Sequence, residues 1–199
     1  MKKILFIALL ALSCLGVSAQ TAQQVLYKTA ALVGRSGGAS ARFSLTSTKY
    51  GNASGSIAIK GNKFNARTSQ AIVWYDGSSQ WTYMKNTNEV NISKPNQAKQ
   101  MSMNPLTFIN IYKSGYNMEL KMLGGKYEVH LTAKDQKRSI AEMYIYITPK
   151  TYVPSQVKMR QDKTWSNIYI SSFKAQNQAN STFVFNSKEF PTAEVIDLR

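Results

Sequence analysis

The sequence predicts a mainly β domain, opened by one amphipathic helix and built from an antiparallel meander of about ten strands. Three observations predict it. Short runs rich in Ile, Val, Thr, Tyr, Trp and Phe alternate apolar with polar residues, the period of a half-buried strand. Tight-turn pairs punctuate these runs, at Gly61-Asn62, Asp76-Gly77 and Gly124-Gly125. Apolar spacing of three and four, the helical period, is confined to two short places. Many short strands at this spacing suit a sandwich or a barrel.

The N-terminus bears on the compartment. Lys2 and Lys3 precede an apolar run from Ile4 to Leu12, and small residues end in Val17-Ser18-Ala19. A charged start, an apolar stretch and a small-residue site make a secretory signal peptide, residues 1–19, cleaved after Ala19. The run is too short for a stable membrane span. Cys14, the only cysteine, lies inside this segment. Lipidation at Cys14 is the second choice, because Ala11-Leu12-Ser13 is a poor lipoprotein box. Cleavage after Ala19 leaves a chain of 180 residues (199 less 19), residues 20–199, with no thiol chemistry. That length is one domain.

The 25 Lys and Arg against 10 Asp and Glu give +15; without Lys2 and Lys3 the balance is 23 against 10, or +13. The cations are scattered singly along the strands, which points to a solvated surface and argues against a nucleic-acid partner. A milder consequence is attraction to anionic lipid headgroups.

Element by element, residues 21–33 form the opening helix. Ala22, Val25, Leu26, Thr29, Leu32 and Val33 fall at helical intervals, Thr21 caps the start and Gly34 stops it. Strands follow at 41–48, 54–60, 63–67, 71–75, 80–84 and 89–93. A second helix is expected from Asn104-Pro105, with Leu106, Ile109 and Tyr112 or Lys113 at helical intervals. A lone helical insertion in a meander covers a sheet face or a barrel mouth. Strands resume at 117–123, 126–133, 139–148, 155–161, 165–175 and 182–185.

The chemical inventory excludes more than it offers. His130 is the only histidine and reads as a structural strand residue. One histidine without a usable thiol supports no nucleophile–histidine set, and no dense carboxylate loop suggests a metal site. No Gly-rich phosphate loop opens a helix. A two-carboxylate hydrolase built on Asp76, Glu119, Glu128 or Glu142 is a minority reading. No cofactor is expected.

The excess is apolar. WYDGSSQWTYM, residues 74–84, sets four aromatic rings around one turn. Ile72 and Trp74 share one strand face, Trp81 and Tyr83 another, and Met143, Ile145 and Ile147 a third. Filling a core accounts for most such residues. A closed sheet of this strand number, however, has an interior too wide to be filled entirely, and the surplus can line a cavity.

GSIAIKGNKF, IVWYDGSSQWTYMKNTNEV, NPLTFINIY and the ending NSTFVFNSKEFPTAEVIDLR resemble the LolA family of periplasmic outer-membrane lipoprotein carriers, in the subgroup typical of Bacteroidetes. The resemblance spans essentially residues 20–199. It implies an unclosed antiparallel β-barrel of about eleven strands under a helical lid, with a hydrophobic cavity for acyl chains. It implies a monomeric carrier that binds lipid-modified proteins, an inner-membrane lipoprotein release complex and an outer-membrane acceptor. Ile57, Ile59, Phe64, Trp74, Trp81, Tyr83, Val90, Ile92, Met143 and Ile145 would line the cavity, with Trp81 and Tyr83 pointing inward. Leu106, Phe108, Ile109 and Tyr112 would form the lid.

One departure stands out. The family commonly carries Arg-Pro after the second strand, where the arginine bonds the lid closed; here Gly61-Asn62 takes that place, flanked by Lys60 and Lys63. Lysine lacks the guanidinium fork. The alternative reading is a LolA-like sensor or binding module that recognises lipid or lipoprotein without shuttling it.

Overall fold

The computed structural model describes residues 20–48, 51–95 and 111–199. The helix α1 (Ala22–Val33) leads into β1 (Ala39–Ser47), β2 (Gly51–Lys60), β3 (Lys63–Thr68), β4 (Ala71–Tyr75), β5 (Gln80–Met84) and β6 (Glu89–Ser93). A 3-10 turn, Ile111–Lys113, precedes β7 (Tyr116–Leu123), β8 (Lys126–Ala133), β9 (Glu142–Ile147), β10 (Pro154–Gln161) and β11 (Thr164–Ala175). A further strand, β12 (Glu194–Asp197), follows two more 3-10 turns.

All twelve strands among the described residues belong to one sheet, in the order β12-β6-β5-β4-β3-β2-β1-β11-β10-β9-β8-β7. Each hairpin neighbour is antiparallel, β11 returns to pair with β1, and β12 runs parallel to β6. The sheet is an unclosed barrel, whose edges are β12 and β7. Two features bend it. Facing residues change step between Ser40 and Arg42, opposite Ser172 at φ 51°, and such bulges sharpen local twist. Gly55 lies opposite Phe43, and a Cβ there would collide with the Arg67 carbonyl while meeting the Phe43 ring at 3.3 Å. Only glycine allows that approach.

Because strand side chains alternate, the ladder pairs sort residues onto a concave and a convex face. On the concave side of β7 to β10, α1 fills the hollow. Thr21 accepts a hydrogen bond from the Gln24 amide, and Gln24 answers the Thr21 amide. The helix then buries Val25 and Leu26 against Val129, Leu131, Met143 and Ile145. Val33, at its other end, packs with Ile59, Phe64 and Tyr75.

On the convex side of β3 to β6 the covering is the C-terminal segment. The expected strand at 182–185 is instead a 3-10 turn, Asn180–Phe183, whose Phe183 is fully buried. Phe185 and Phe190 then meet Trp74 edge-on at 5.5 and 5.6 Å, and Phe190 lies 4.7 Å from Tyr83. Aromatic pairs in this range add to the stabilisation from burial. β12 finishes the segment, seating Val195 beside Val90.

The convex face of β8 to β11 is polar. His130 stacks on Tyr144 at 4.3 Å and its Nε2 lies 2.9 Å from Glu142 Oε1. Arg160 donates to Glu142 Oε2 through Nε and Nη2, at 3.1 and 2.9 Å, and Tyr144 donates to Oε1 at 3.0 Å. Burial pushes the Glu142 carboxyl up, but hydrogen bonds from Arg160, Tyr144 and His130 outweigh it and hold it below its ordinary value of 4.5.

Two outcomes follow from this packing. Phe183→Ala is expected to cost about 3–5 kcal/mol, the usual range for a buried Phe truncation, as a drop in the urea midpoint. The depressed Glu142 carboxyl stabilises the fold above its unfolded value and loses that contribution as pH falls through the folded value. Urea midpoints from pH 7 down to about pH 3 are therefore expected to fall less steeply in Glu142→Gln, which starts lower, than in the wild type.

Candidate functional site

The concave hollow is wider than α1. Beyond the helix, between β1 to β3 on one side and β9 to β11 on the other, lies an apolar cavity of about 610 Å³. Its wall is assembled by alternation. In β1, ASARFSLTS sends Ala39, Ala41, Phe43 and Leu45 to one face and keeps its serines, Arg42 and Thr46 on the other or at the ends. Phe43 faces Ile170 across the β1–β11 ladder and Leu45 faces Ile168. Ile168 faces Val157 of β10, which faces Ile145 of β9. On the other flank Ile57 sits between Ala41 and Ala66. Ile59, Met159 and Phe173 extend the wall, and Val33 reaches it from the end of α1.

Among the described residues, no Asp or Glu lines the cavity, and the polar contributors are Ser40, Arg42, Gln161 and Ser166. Ser166 donates to Ser47 at 2.8 Å, so that hydroxyl is already satisfied. Chemically the hollow offers dispersion and water exclusion and little hydrogen bonding. Its volume falls in the usual range of ligand sites, about 300–1,000 Å³. Among the described residues, no group of three His, Cys, Asp or Glu is placed to hold a metal ion.

Of the residues expected on the wall, the structure brings Ile57, Ile59 and Ile145 together there. Phe64 is on the concave face but is packed against Tyr75, ring centres 5.6 Å apart, and Met143 is enclosed in the core under α1. The expectation that Trp81 and Tyr83 point inward is corrected. The ladder Ile59–Phe64–Tyr75 runs along the concave face, so Trp74, one residue out of phase, turns to the convex side. Trp81 pairs with Trp74 and Ile92, and Tyr83 with Val90, so Trp81, Tyr83, Val90 and Ile92 share that convex face. There Trp74 and Tyr83 meet the C-terminal phenylalanines. Tyr112 is buried with the α1 core in the turn Ile111–Lys113, and Leu106, Phe108 and Ile109 lie outside the described residues.

The residues that sequence reasoning passed over as wall are Phe43 and Leu45 of β1 and Val157 and Met159 of β10. Alternation in RFSLTS and QVKMR carried the signal, but each run holds only two large apolar residues. At the Gly61-Asn62 turn, Lys60 Nζ donates to the Gln178 carbonyl at 2.9 Å and ties the β2–β3 hairpin to the segment after β11.

Comparison with solved structures places the fold. The chain is similar to a conserved protein from Thermus thermophilus, with 14% identity, a TM-score of 0.61, and coverage of 89% of this chain and 99% of that one. It is more distantly similar to a LolA superfamily protein from Nitrosomonas europaea, at 10% identity and TM-score 0.45, covering 84% and 99%. A similar figure, 12% identity and TM-score 0.45 over 84% and 62%, holds for the Pseudomonas aeruginosa MucA/MucB complex. Both of these are remote likenesses. Comparison with curated proteins gives no match. A family model described as outer membrane lipoprotein carrier protein LolA matches residues 12–163, more than half of the sequence. With an unclosed barrel around an apolar hollow and that match, the chain belongs to the LolA family of outer membrane lipoprotein carrier proteins.

Proposed function

We propose that this protein is an exported, non-enzymatic carrier that shelters the acyl chains of lipid-modified proteins in the concave cavity and conveys them from inner to outer membrane. Family membership supports a carrier or binding role in the cell envelope. The observation that carries the reading for this chain is the cavity of about 610 Å³ with its nearly unbroken apolar wall. Each methylene taken from water is worth about 0.8 kcal/mol, so a sixteen-carbon chain represents roughly 12 kcal/mol that an unaided lipoprotein would forfeit in an aqueous compartment. Ile57, Leu45, Ile168 and Ile170 offer such a chain a wall that is apolar and only partly shielded from solvent. Partial access favours both entry and release.

In this reading the signal peptide is removed after Ala19, the release complex loads the protein, and an outer-membrane acceptor unloads it. A second reading is favoured by one observation. The Gly61-Asn62 turn holds no arginine to lock a lid, and Lys60 is bonded to the Gln178 carbonyl. A module that recognises lipid or lipoprotein without shuttling it would need no such lock. Release of lipoproteins from membrane vesicles separates the two readings, since only the carrier performs it.

Displacement of a fluorescent fatty-acid probe by palmitate checks the cavity. Ile57→Arg and Leu45→Arg are each expected to weaken probe binding about tenfold or more, equivalent to about 1.4 kcal/mol. Trp81→Ala, on the far side of the sheet, is expected to bind as the wild type does. Uptake that ignores both arginines, or that Trp81→Ala abolishes, would move the site elsewhere.

A further inference from the structure

A second hollow lies on the convex side, over β11, β1, β2 and β3. It measures about 510 Å³ and is lined by Arg42, Arg67, Tyr169 and a group of serines that includes Ser44, Ser54, Ser56 and Ser171. Its chemistry is the reverse of the first: the described residues that line it bring two guanidinium groups, several hydroxyls and one exposed ring, and no Asp or Glu. Both arginines are placed by the ladder. Arg42 faces Ser171 on one side and Ser56 on the other, and Ser56 faces Arg67. The two are therefore rooted two strands apart, about 10 Å, with a serine between them. Long side chains at that separation can converge on one tetrahedral oxyanion.

Arg67 is held ready. Its Nε donates to Asn65 Oδ1 at 2.9 Å, and Asn65, itself buried, donates through Nδ2 to the Val73 carbonyl at 3.0 Å. The guanidinium carbon lies 5.8 Å from the Trp74 ring centre, within cation–π range. Among the described residues, neither Arg42 nor Arg67 is paired with a carboxylate, although Arg160 and Arg199 both are. A fixed guanidinium with unengaged Nη groups is suited to bidentate capture of phosphate oxygens.

We propose that this groove binds a phosphate-bearing ligand, with Arg42 and Arg67 as its two arms and the intervening serines as hydroxyl donors. The volume exceeds that of the anion alone, so the hydroxyls and the half-exposed Tyr169 ring have room for the sugar or glycerol that carries it. Arg42 and Phe43 border both hollows, so one strand's thickness separates the anion groove from the apolar cavity. The groove stands on its own geometry and does not depend on what the cavity holds.

Glucose 6-phosphate and vesicles of phosphatidylglycerol in phosphatidylcholine serve as probes, with glucose and pure phosphatidylcholine as uncharged controls. Saturable binding of glucose 6-phosphate assigns a soluble phosphate; binding to the charged vesicles alone assigns a lipid headgroup. Either supports the proposal if Arg42→Ala lowers the affinity about tenfold while Lys188→Ala, which removes a charge elsewhere, changes it less than about twofold. Arg67→Lys keeps the charge and loses the fork, so a several-fold loss is expected there as well. Thermal melts confirm that each variant is folded. Binding of neither probe, or equal losses in Arg42→Ala and Lys188→Ala, overturns the proposal.

Discussion

Among the described residues, the twelve-stranded sheet curls on itself and encloses more concave surface than α1, twelve residues long, can cover. Barrels of about eight strands are just filled by their own side chains, and wider ones must be plugged or left hollow. Here α1 plugs only the half walled by β7 to β10, where Val25 and Leu26 are buried to completion. Among the described residues, none fills the other half, which keeps its apolar wall. The residues under the helix hold the fold together, and in the proposed function those past Val33 receive the guest.

The convex face answers a different need. Strand β4 carries apolar residues on both sides, and β5 and β6 turn Trp81, Tyr83, Val90 and Ile92 outward, so a second cover is required, and Phe183, Phe185, Phe190 and β12 supply it. Strands β8 to β11 turn a charged and aromatic network outward, where Glu142 gathers Arg160, Tyr144 and His130. Between those regions the convex row Arg42, Ser56 and Arg67 has neither cover nor carboxylate among the described residues. The molecule therefore presents an oily interior and a cationic notch on opposite sides of the same three strands.

Much of this was legible in the residues. The helix boundaries, the Thr21 cap, and β4, β5, β6 and β8 come out where period and turn chemistry put them. Strand number and spacing leave sandwich and barrel both open, and the unclosed barrel is what the resemblance to the LolA family implies. β12 was missed because EVID is four residues long and pairs in parallel with β6, a partner that no local turn announces. The stretch 182–185 reads as a strand by composition, yet its first two residues close the 3-10 turn Asn180–Phe183, where Phe183 is buried. The cavity wall was half legible. A strand such as AIVWY is apolar at every position, so alternation separates its two faces without saying which is concave. Only the pairing with Phe64 and Ile59, and the tail that arrives from residues 183–190, settles that Tyr75 faces in and Trp74 faces out.

The most direct measurement is the set of nuclear Overhauser contacts between the methylenes of bound palmitate and methyl-labelled protein. Contacts to the methyls of Ile57, Leu45, Val157 and Ile168 are the result this account predicts. A bound chain whose contacts run instead to Val90, Ile92 and the rings of Trp81 and Tyr83 would contradict it, because the hydrocarbon would then lie on the wrong side of the sheet.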